Sequence, residues 1–251
     1  MAMKLSVISP TLREAENIES LVREIQHALR GVDHEIVVVD DDSADLTWRR
    51  AEELSARDPR VRVLRRMQNH GLSAAVIEGF EAARGEVVAC IDGDLQHDPV
   101  ILPVLLEELS KGAEVAVGSR YVGDGTTGDW SRLRRKGSWI ASKMAQILLG
   151  IQLKDPMSGY FMMRRSQFAD VREKLNASGF KILLEILAKL QCARVKEVPY
   201  SFRRRRRGKS KLTSKVIAQY LGQLWRLSGE GRLPFERLLR SSRAVVLRPK
   251  L

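Results

Sequence analysis

Long apolar runs are missing from this sequence. No segment approaches the ~18 consecutive apolar residues that a membrane-spanning helix requires, and the last apolar cluster, Ala244–Leu247, is far too short. Cysteine is scarce. Cys90 and Cys192 stand among apolar neighbours with no metal-ligand spacing, which makes them buried thiols of a reducing compartment. The opening "MAMKLSVISP" passes straight into a strand-like pattern, so no signal peptide is expected. Internal repeats are absent, and the arginine run Arg203–Arg207 is the one low-complexity stretch. No aromatic alternates with those arginines, which argues against a nucleic-acid-binding module.

What is present is an ordinary globular composition, 44% hydrophobic and 29% charged over 251 residues. That length suits one α/β domain, or a domain with a short appendage. The net charge of +12 is unevenly placed. From Ser201 onward there are 15 Lys/Arg against two acids, whereas the first 200 residues carry 28 basic and 29 acidic residues. The basicity therefore points to a local anionic partner.

The hydrophobic pattern alternates between periods. Strands are predicted at 4–9, 35–40, 61–65, 87–92 and 114–119, with helices over 18–29, 45–56, 72–83 and 99–110 between them. Such alternation with apolar strands predicts an α/β fold, a mostly parallel sheet covered on both faces. After residue 120 come a Gly-rich acidic loop (121–130), a basic helix (132–149), a turn and strand (155–165), two helices (166–175 and 181–190), a strand (195–202) and an amphipathic helix (214–229). Residues 1–212 are expected to form the catalytic domain and 213–251 a C-terminal helix and basic tail.

Ligands of parallel sheets bind beyond the carboxyl ends of the strands. Ser9-Pro10-Thr11, Asp40-Asp41-Asp42-Ser43, Asp92-Gly93-Asp94 and Ser119-Arg120 stand at those ends. Asp42 or Ser43 is expected to cap the following helix. Three adjacent aspartates repel one another, which a ligand or cation would offset. Asp92 and Asp94 are alternate residues, facing one way in an extended turn, and Gly93 permits a sharp bend between them. Gln96 adds a neutral oxygen. Hard oxygen donors of this kind suit Mg2+ or Mn2+, with substrate phosphates completing the shell. His97, with no other histidine close in sequence, is expected at the polar surface or behind the ligands. "GDGTTG" (123–128) matches a dinucleotide fingerprint only formally, because Asp124 and Asp129 would repel a pyrophosphate. A flexible flap is the better reading.

These motifs together resemble the family 2 inverting glycosyltransferases of the GT-A fold, and within them the polyprenol-phosphate (dolichol-phosphate) mannosyltransferases. The resemblance runs from Lys4 to Leu227. "SPTLREAENI" is similar to the family's PTYNExxNI, with Leu12 and Arg13 as departures. "VVVDDDSADLTW" resembles its DDxSxDxT segment and "IDGDLQHDP" its DxDLQHxP metal turn. "VGSRY", "DWSRLRRKGS", "DPMSGYF", "FKILLEIL" and "VPYSFRRRRRGKSKL" follow in the family's order. The resemblance implies that Pro10, Leu12 and Glu14 line the nucleotide pocket and that Asp41 contacts the base. Asp92, Asp94 and Gln96 would hold the metal and diphosphate, beside Gly93. Arg120, Arg134 and Ser138 would face the acceptor phosphate, Lys181 would lie near donor or acceptor, and Arg205 and Lys211 would be cationic positions for substrate phosphates. Asp155, Ser158 and Gly159 would shape the site.

The implied reaction is transfer of mannose from GDP-mannose to a polyprenyl phosphate, with a UDP-glucose or UDP-aminosugar donor as the alternative. The implied location is the cytoplasmic face of a membrane, held peripherally. Ile217, Leu221 and Trp225 on the last helix either lie on the bilayer or pack on the domain. Family members with transmembrane helices carry them after this point, so the chain reads as a peripheral form or as a piece of a longer one. Alternation divides the arginine run, placing Arg203, Arg205 and Arg207 on one side and Arg204 and Arg206 on the other, the latter two solvated or touching lipid headgroups.

Overall fold

A computed structural model describes residues 4–177, 179, 181–190, 194–204 and 214–229. The chain runs β1 (Leu5–Thr11), α1 (Ile18–Ala28), β2 (His34–Asp40), α2 (Thr47–Ser55), β3 (Val61–Arg65), α3 (Leu72–Ala82) and β4 (Val87–Cys90). A 3-10 turn (Pro99–Ile101) leads into α4 (Leu102–Ser110), β5 (Val115–Ser119), α5 (Arg132–Leu149) and β6 (Phe161–Arg164). Then come α6 (Arg165–Val171), α7 (Ile182–Leu190), β7 (Val195–Pro199) and α8 (Ser214–Gly229). The strands form one seven-stranded sheet in the order β3-β2-β1-β4-β6-β5-β7.

The sheet follows the sequence pattern with one exception. β6 is antiparallel to both β4 and β5, whereas the other pairs are parallel. The chain leaves β5 at the carboxyl edge, and β6 starts from that same edge, with Phe161 opposite Cys90 and Arg164 opposite Val87. A strand entering there has to run backwards. β1 also reaches two residues past its predicted end. Pro10 and Thr11 pair with Val39 and Asp40 of β2, and β4 stops pairing at Ile8. Pro10 therefore lies where β1 has lost one neighbour, a place where a missing amide proton costs little.

β1 and β2 are buried along their whole length. Alternation sends Leu5, Val7, Ile36 and Val38 to one face, where Ile18, Leu21 and Ile25 of α1 and Leu102 and Leu105 of α4 cover them. Ile8, Val37 and Val39 point to the other face, against Val76, Ile77 and Phe80 of α3 and Leu183 and Ile186 of α7. A third cluster joins α5, α7 and α8 through Ala145, Leu149, Leu184, Tyr220, Leu224 and Leu227. α8 is anchored by Tyr220, Leu224 and Leu227, so Ile217, Leu221 and Trp225 are not its packing residues. They are exposed, Trp225 at 82%.

Candidate active site

The strand order reverses between β1 and β4: β2 and β3 lie on one side of β1, and β4 opens the other. A crevice at the carboxyl edge is expected at such a point. Pro10, Leu12 and Glu14 follow β1, and Asp92, Gly93, Asp94 and Gln96 follow β4. Non-glycine residues with left-handed backbone cluster here: Arg13 (φ 58°), Asp42 (φ 51°) and Leu95 (φ 61°). Strain of that kind persists where the surroundings hold it. Leu12 is 40% exposed while Glu14 is buried, its Oε2 accepting from Asn17 Nδ2 at 2.7 Å.

The aspartate triplet does not cap α2. That helix starts at Thr47 behind Leu46, with no side-chain cap. Asp40 instead accepts from Thr11 Oγ1 and from the backbone and hydroxyl of Ser43, each at 2.8 Å. Asp42 pairs with Arg65, whose Nε donates at 2.7 Å. Asp41 pairs with Arg66 and accepts from the Gly71 amide at 2.7 Å. The cations that offset the triplet are thus Arg65 and Arg66 of the chain itself. Arg66 is 1% exposed and also donates to Glu78 at 2.9 Å, so it fixes the loop that carries Asp41's second donor.

In the acidic turn the left-handed residue is Leu95, not Gly93. Gly93 serves close approach instead: a Cβ there would lie 2.9 Å from Thr11 Cγ2 and 3.4 Å from Glu14 Cγ. Asp94 is buried and accepts from the Gln96 amide at 3.1 Å. The Gln96 side-chain nitrogen donates to the Arg203 carbonyl at 3.1 Å. This assigns the amide oxygen to the opposite side of the group. Gly159 lies against the turn, since a Cβ there would sit 3.3 Å from both Asp92 carboxylate oxygens.

His97 is not at the surface. It is 3% exposed, and its Nδ1 accepts from the Asp92 amide at 3.2 Å. The ring stacks on Tyr160 with centroids 5.1 Å apart and meets the edges of Tyr200 and Phe202. Burial pushes its pKa down to about 4, although Asp94 pulls the other way. The imidazole is therefore neutral and supports the turn from behind.

Arg120 is more deeply committed than a solvent-facing phosphate ligand. Its Nε and Nη2 fork onto Asp155 at 2.7 Å each, and its amide donates to the same carboxylate at 3.1 Å. The guanidinium lies 4.9 Å from the Trp130 ring centroid and 5.5 Å from that of Phe202. Arg134 stacks on Trp130 at 4.1 Å, and Ser138 accepts from the Tyr121 hydroxyl at 3.0 Å. The structure thus brings Arg120, Arg134 and Ser138 together around Tyr121 and Trp130. Ser158 braces the same corner by donating to the Gly118 carbonyl at 2.7 Å. Half-buried Lys181 donates to the Met157 carbonyl at 2.9 Å. Burial, then Arg120, pulls its pKa down to about 8 against the pull of Asp92 and Asp155.

The Gly-rich loop is pinned rather than a flap. Thr126 donates to the Tyr200 carbonyl at 3.1 Å and accepts from Phe202 at 2.9 Å. A Cβ on Gly128 would lie 2.3 Å from the Phe202 oxygen, so that glycine permits backbone contact. Arg205 and Lys211 lie outside the described residues, as do Arg206, Arg207 and Cys192. Arg204 is 87% exposed, in keeping with a solvated role. Arg203 is not: it bridges Glu24 of α1 at 2.5 Å and Asp98 at 2.6 Å.

Residues 6–172 match the family model described as glycosyl transferase family 2. The chain belongs to that family. It is 46% identical over 228 residues to a dolichol-phosphate mannosyltransferase of Pyrococcus furiosus, covering 90% of this chain and 64% of the relative. It is 38% identical over 234 residues to that of Saccharomyces cerevisiae, covering 89% and 86%. It is 37% identical over 238 residues to the polyprenol monophosphomannose synthase of Mycolicibacterium smegmatis, covering 90% and 88%. The chain thus spans less than two thirds of the Pyrococcus relative's length.

Glucosyl-3-phosphoglycerate synthase of Mycobacterium tuberculosis, solved with Mn2+, UDP-glucose and phosphoglyceric acid, superimposes with a TM-score of 0.68. It is 23% identical and covers 90% of this chain and 80% of its own. The expected GT-A fold is therefore present. Sequence reasoning on this family 2 chain missed Arg66, Arg203 and the Glu185–Arg226 pair. The odd signal was available only for Glu185, an acid set within "ILLEILAKL".

Proposed function

We propose that the chain transfers mannose from GDP-mannose to a polyprenyl phosphate with inversion, at the cytoplasmic face of a membrane. The observation that carries this reading is the acidic turn at the carboxyl end of β4, flanked by Arg120 and Lys181 and built from Asp92, Asp94 and the amide oxygen of Gln96. The names of relatives covering about nine tenths of the chain supply the sugar and acceptor class. Residues 1–212 form the catalytic domain and 213–251 the membrane-facing appendage.

The donor set fits a hard divalent cation, Mg2+ or Mn2+. Among the described residues no three His, Cys, Asp or Glu side chains converge on a metal-holding cluster. Two carboxylates and an amide oxygen leave the remaining positions to a ligand's phosphates, the usual arrangement for Mg2+. A cation held there supplies charge neutralisation for the departing diphosphate. The chain's own residues do the rest. Pro10, Leu12, Glu14 and Asp41 line the nucleotide pocket. Arg120, Arg134, Ser138, Lys181, Arg205 and Lys211 orient the phosphates. The attacking phosphate oxygen is already ionised near pH 7, so orientation is the requirement and a strong base is not.

No helix among the described residues is long and apolar enough to cross a membrane. A surface contact is supported by α5 and α8, packed side by side and outwardly apolar. α5 exposes Leu133, Trp139, Ile140 and Ile147, and α8 exposes Ile217, Leu221 and Trp225. Arg132, Arg134, Arg135 and Lys136 on the first turns of α5 add the positive charge that an anionic bilayer attracts.

The test is thermal stabilisation by GDP, GDP-mannose, UDP and UDP-glucose, each with and without Mn2+, followed by transfer to a polyprenyl phosphate. GDP ligands with Mn2+ should stabilise, and Asp94→Ala should abolish transfer while the protein stays folded. Stabilisation by UDP ligands alone would replace the donor, and full activity in EDTA would remove the metal.

A further inference from the structure

The first arginine of the run has no place in the phosphate-binding set, yet it is the best-held of those described. Its side chain is only 34% exposed, with Nη1 on Glu24 and Nη2 on Asp98. Its backbone is engaged as well. The Arg203 amide donates to the Gln96 carbonyl at 2.8 Å, and the Arg203 carbonyl accepts from Gln96 Nε2 at 3.1 Å. Gln96 is thus gripped at its main chain and at its side chain by one residue, from a strand extension 107 positions away in sequence. Asp98, the partner of Nη2, also receives the Val100 amide at 3.0 Å, while its carbonyl accepts from the Tyr160 hydroxyl at 3.0 Å. The arginine therefore fastens to both ends of the Gln96–Asp98 segment.

We infer that Arg203 is a positioning residue for the acidic turn: its grip fixes the Gln96 amide with nitrogen outward and oxygen toward the Asp92–Asp94 side, presetting the third donor for the divalent cation. The inference rests on the metal reading proposed above. Its physical content is preorganisation. A free glutamine amide samples several rotamers and both flips, and each must be frozen when it binds. Here the carbonyl of Arg203 selects one flip and the two ion pairs hold that carbonyl in place. Partners behind a metal ligand are commonly worth about 10- to 100-fold in metal affinity.

The experiment measures free Mn2+ by electron paramagnetic resonance in the presence of GDP, so it does not depend on turnover. Arg203→Met should weaken Mn2+ binding about tenfold. Arg203→Lys, which keeps a charge for one of the two acids, should fall between. The deciding readout is a double-mutant cycle with Gln96→Ala. If Arg203 acts through Gln96, Arg203→Met should have no further effect once the amide is gone. A merely structural role would weaken binding by the same factor in both backgrounds. Additive effects, or unaltered Mn2+ affinity in both Arg203 variants, overturn the inference while leaving the proposed function intact. Absence of nucleotide-dependent Mn2+ binding in the unmodified protein overturns both.

Discussion

Asp155→Asn isolates a deeply buried ion pair beside the site. Asp155 is fully buried and Arg120 is 8% exposed. Removing one charge of such a pair costs about 3–5 kcal/mol, because the other is left unpaired in a poorly polar environment. The asparagine oxygen still accepts one bond from the guanidinium, which returns about 1–2 kcal/mol. The Trp130 and Phe202 faces over Arg120 are the same in both proteins and cancel. Glu197 continues to hold the amides of residues 154 and 155, at 2.8 and 2.9 Å in the parent, so the backbone stays in place. The net loss is then about 1–4 kcal/mol, and at roughly 2–4 °C per kcal/mol for a chain of this size the midpoint should fall by about 2–16 °C. Thermal unfolding followed by circular dichroism measures it. Converting Arg120 to Met in the Asp155→Asn background should recover part of the loss, since no charge then remains buried. A midpoint within 2 °C of the parent, or a double variant much weaker than the single, would refute the reasoning.

Two further outcomes follow from half-buried cations. Lys181, pulled down to about 8 from the usual 10.5 by burial and then by Arg120, should lose its charge as pH rises through 8. If it orients substrate phosphates, kcat/KM for the donor falls above pH 8, and Lys181→Arg moves that limb upward; a flat profile to pH 9.5 counts against the role. The stability sign is opposite: the unfolded state binds the extra proton between pH 8 and 10.5, so this lysine's contribution to stability rises across that window. Where α8 packs on α7, Arg226 of α8 forks onto fully buried Glu185 at 2.8 and 2.9 Å. Arg226→Met should cost about 3 kcal/mol, toward the low end because the arginine is 29% exposed. Hydrogen exchange should show α8 loosened, and unaltered protection there would contradict the anchoring role.

Periodicity made most of the framework readable. β3 at 61–65, α5 at 132–149 and α8 at 214–229 have the predicted bounds, because their apolar residues recur at the spacing of the element they form. The direction of β6 was not readable, since "FMMR" looks the same whichever way it runs. The acidic turn was legible as chemistry but not as geometry. Its composition announced oxygen donors, yet the residue that bends backward is Leu95, which has no propensity for it. Only the packing of Gly93 on β1 explains why the glycine is placed earlier. The flap illustrates the opposite error. Glycines at 123, 125 and 128 read as freedom, but Gly123 lies against the Pro199 ring, Gly125 against the Ser119 and Val122 carbonyls and Gly128 against the Phe202 carbonyl, and at 125 and 128 the missing Cβ is what allows the backbone contact.

The hardest feature to read was which charges face inward. Arg66, Arg120, Arg203 and Arg226 are paired with acids 25, 35, 179 and 41 positions away. No local period marks a partner at such distances, and an arginine that will be buried has the same neighbours in sequence as one that will be solvated. This matters for the arginine run. Alternation placed Arg203 on one side with Arg205 and Arg207, as though the three shared a task. Arg203 is neutralised by Glu24 and Asp98 and turned toward the acidic segment, whereas Arg204 next to it is almost wholly exposed. At its first residue, then, the run contributes a charge that is spent inside the protein, on the framework that holds Gln96 and Asp98.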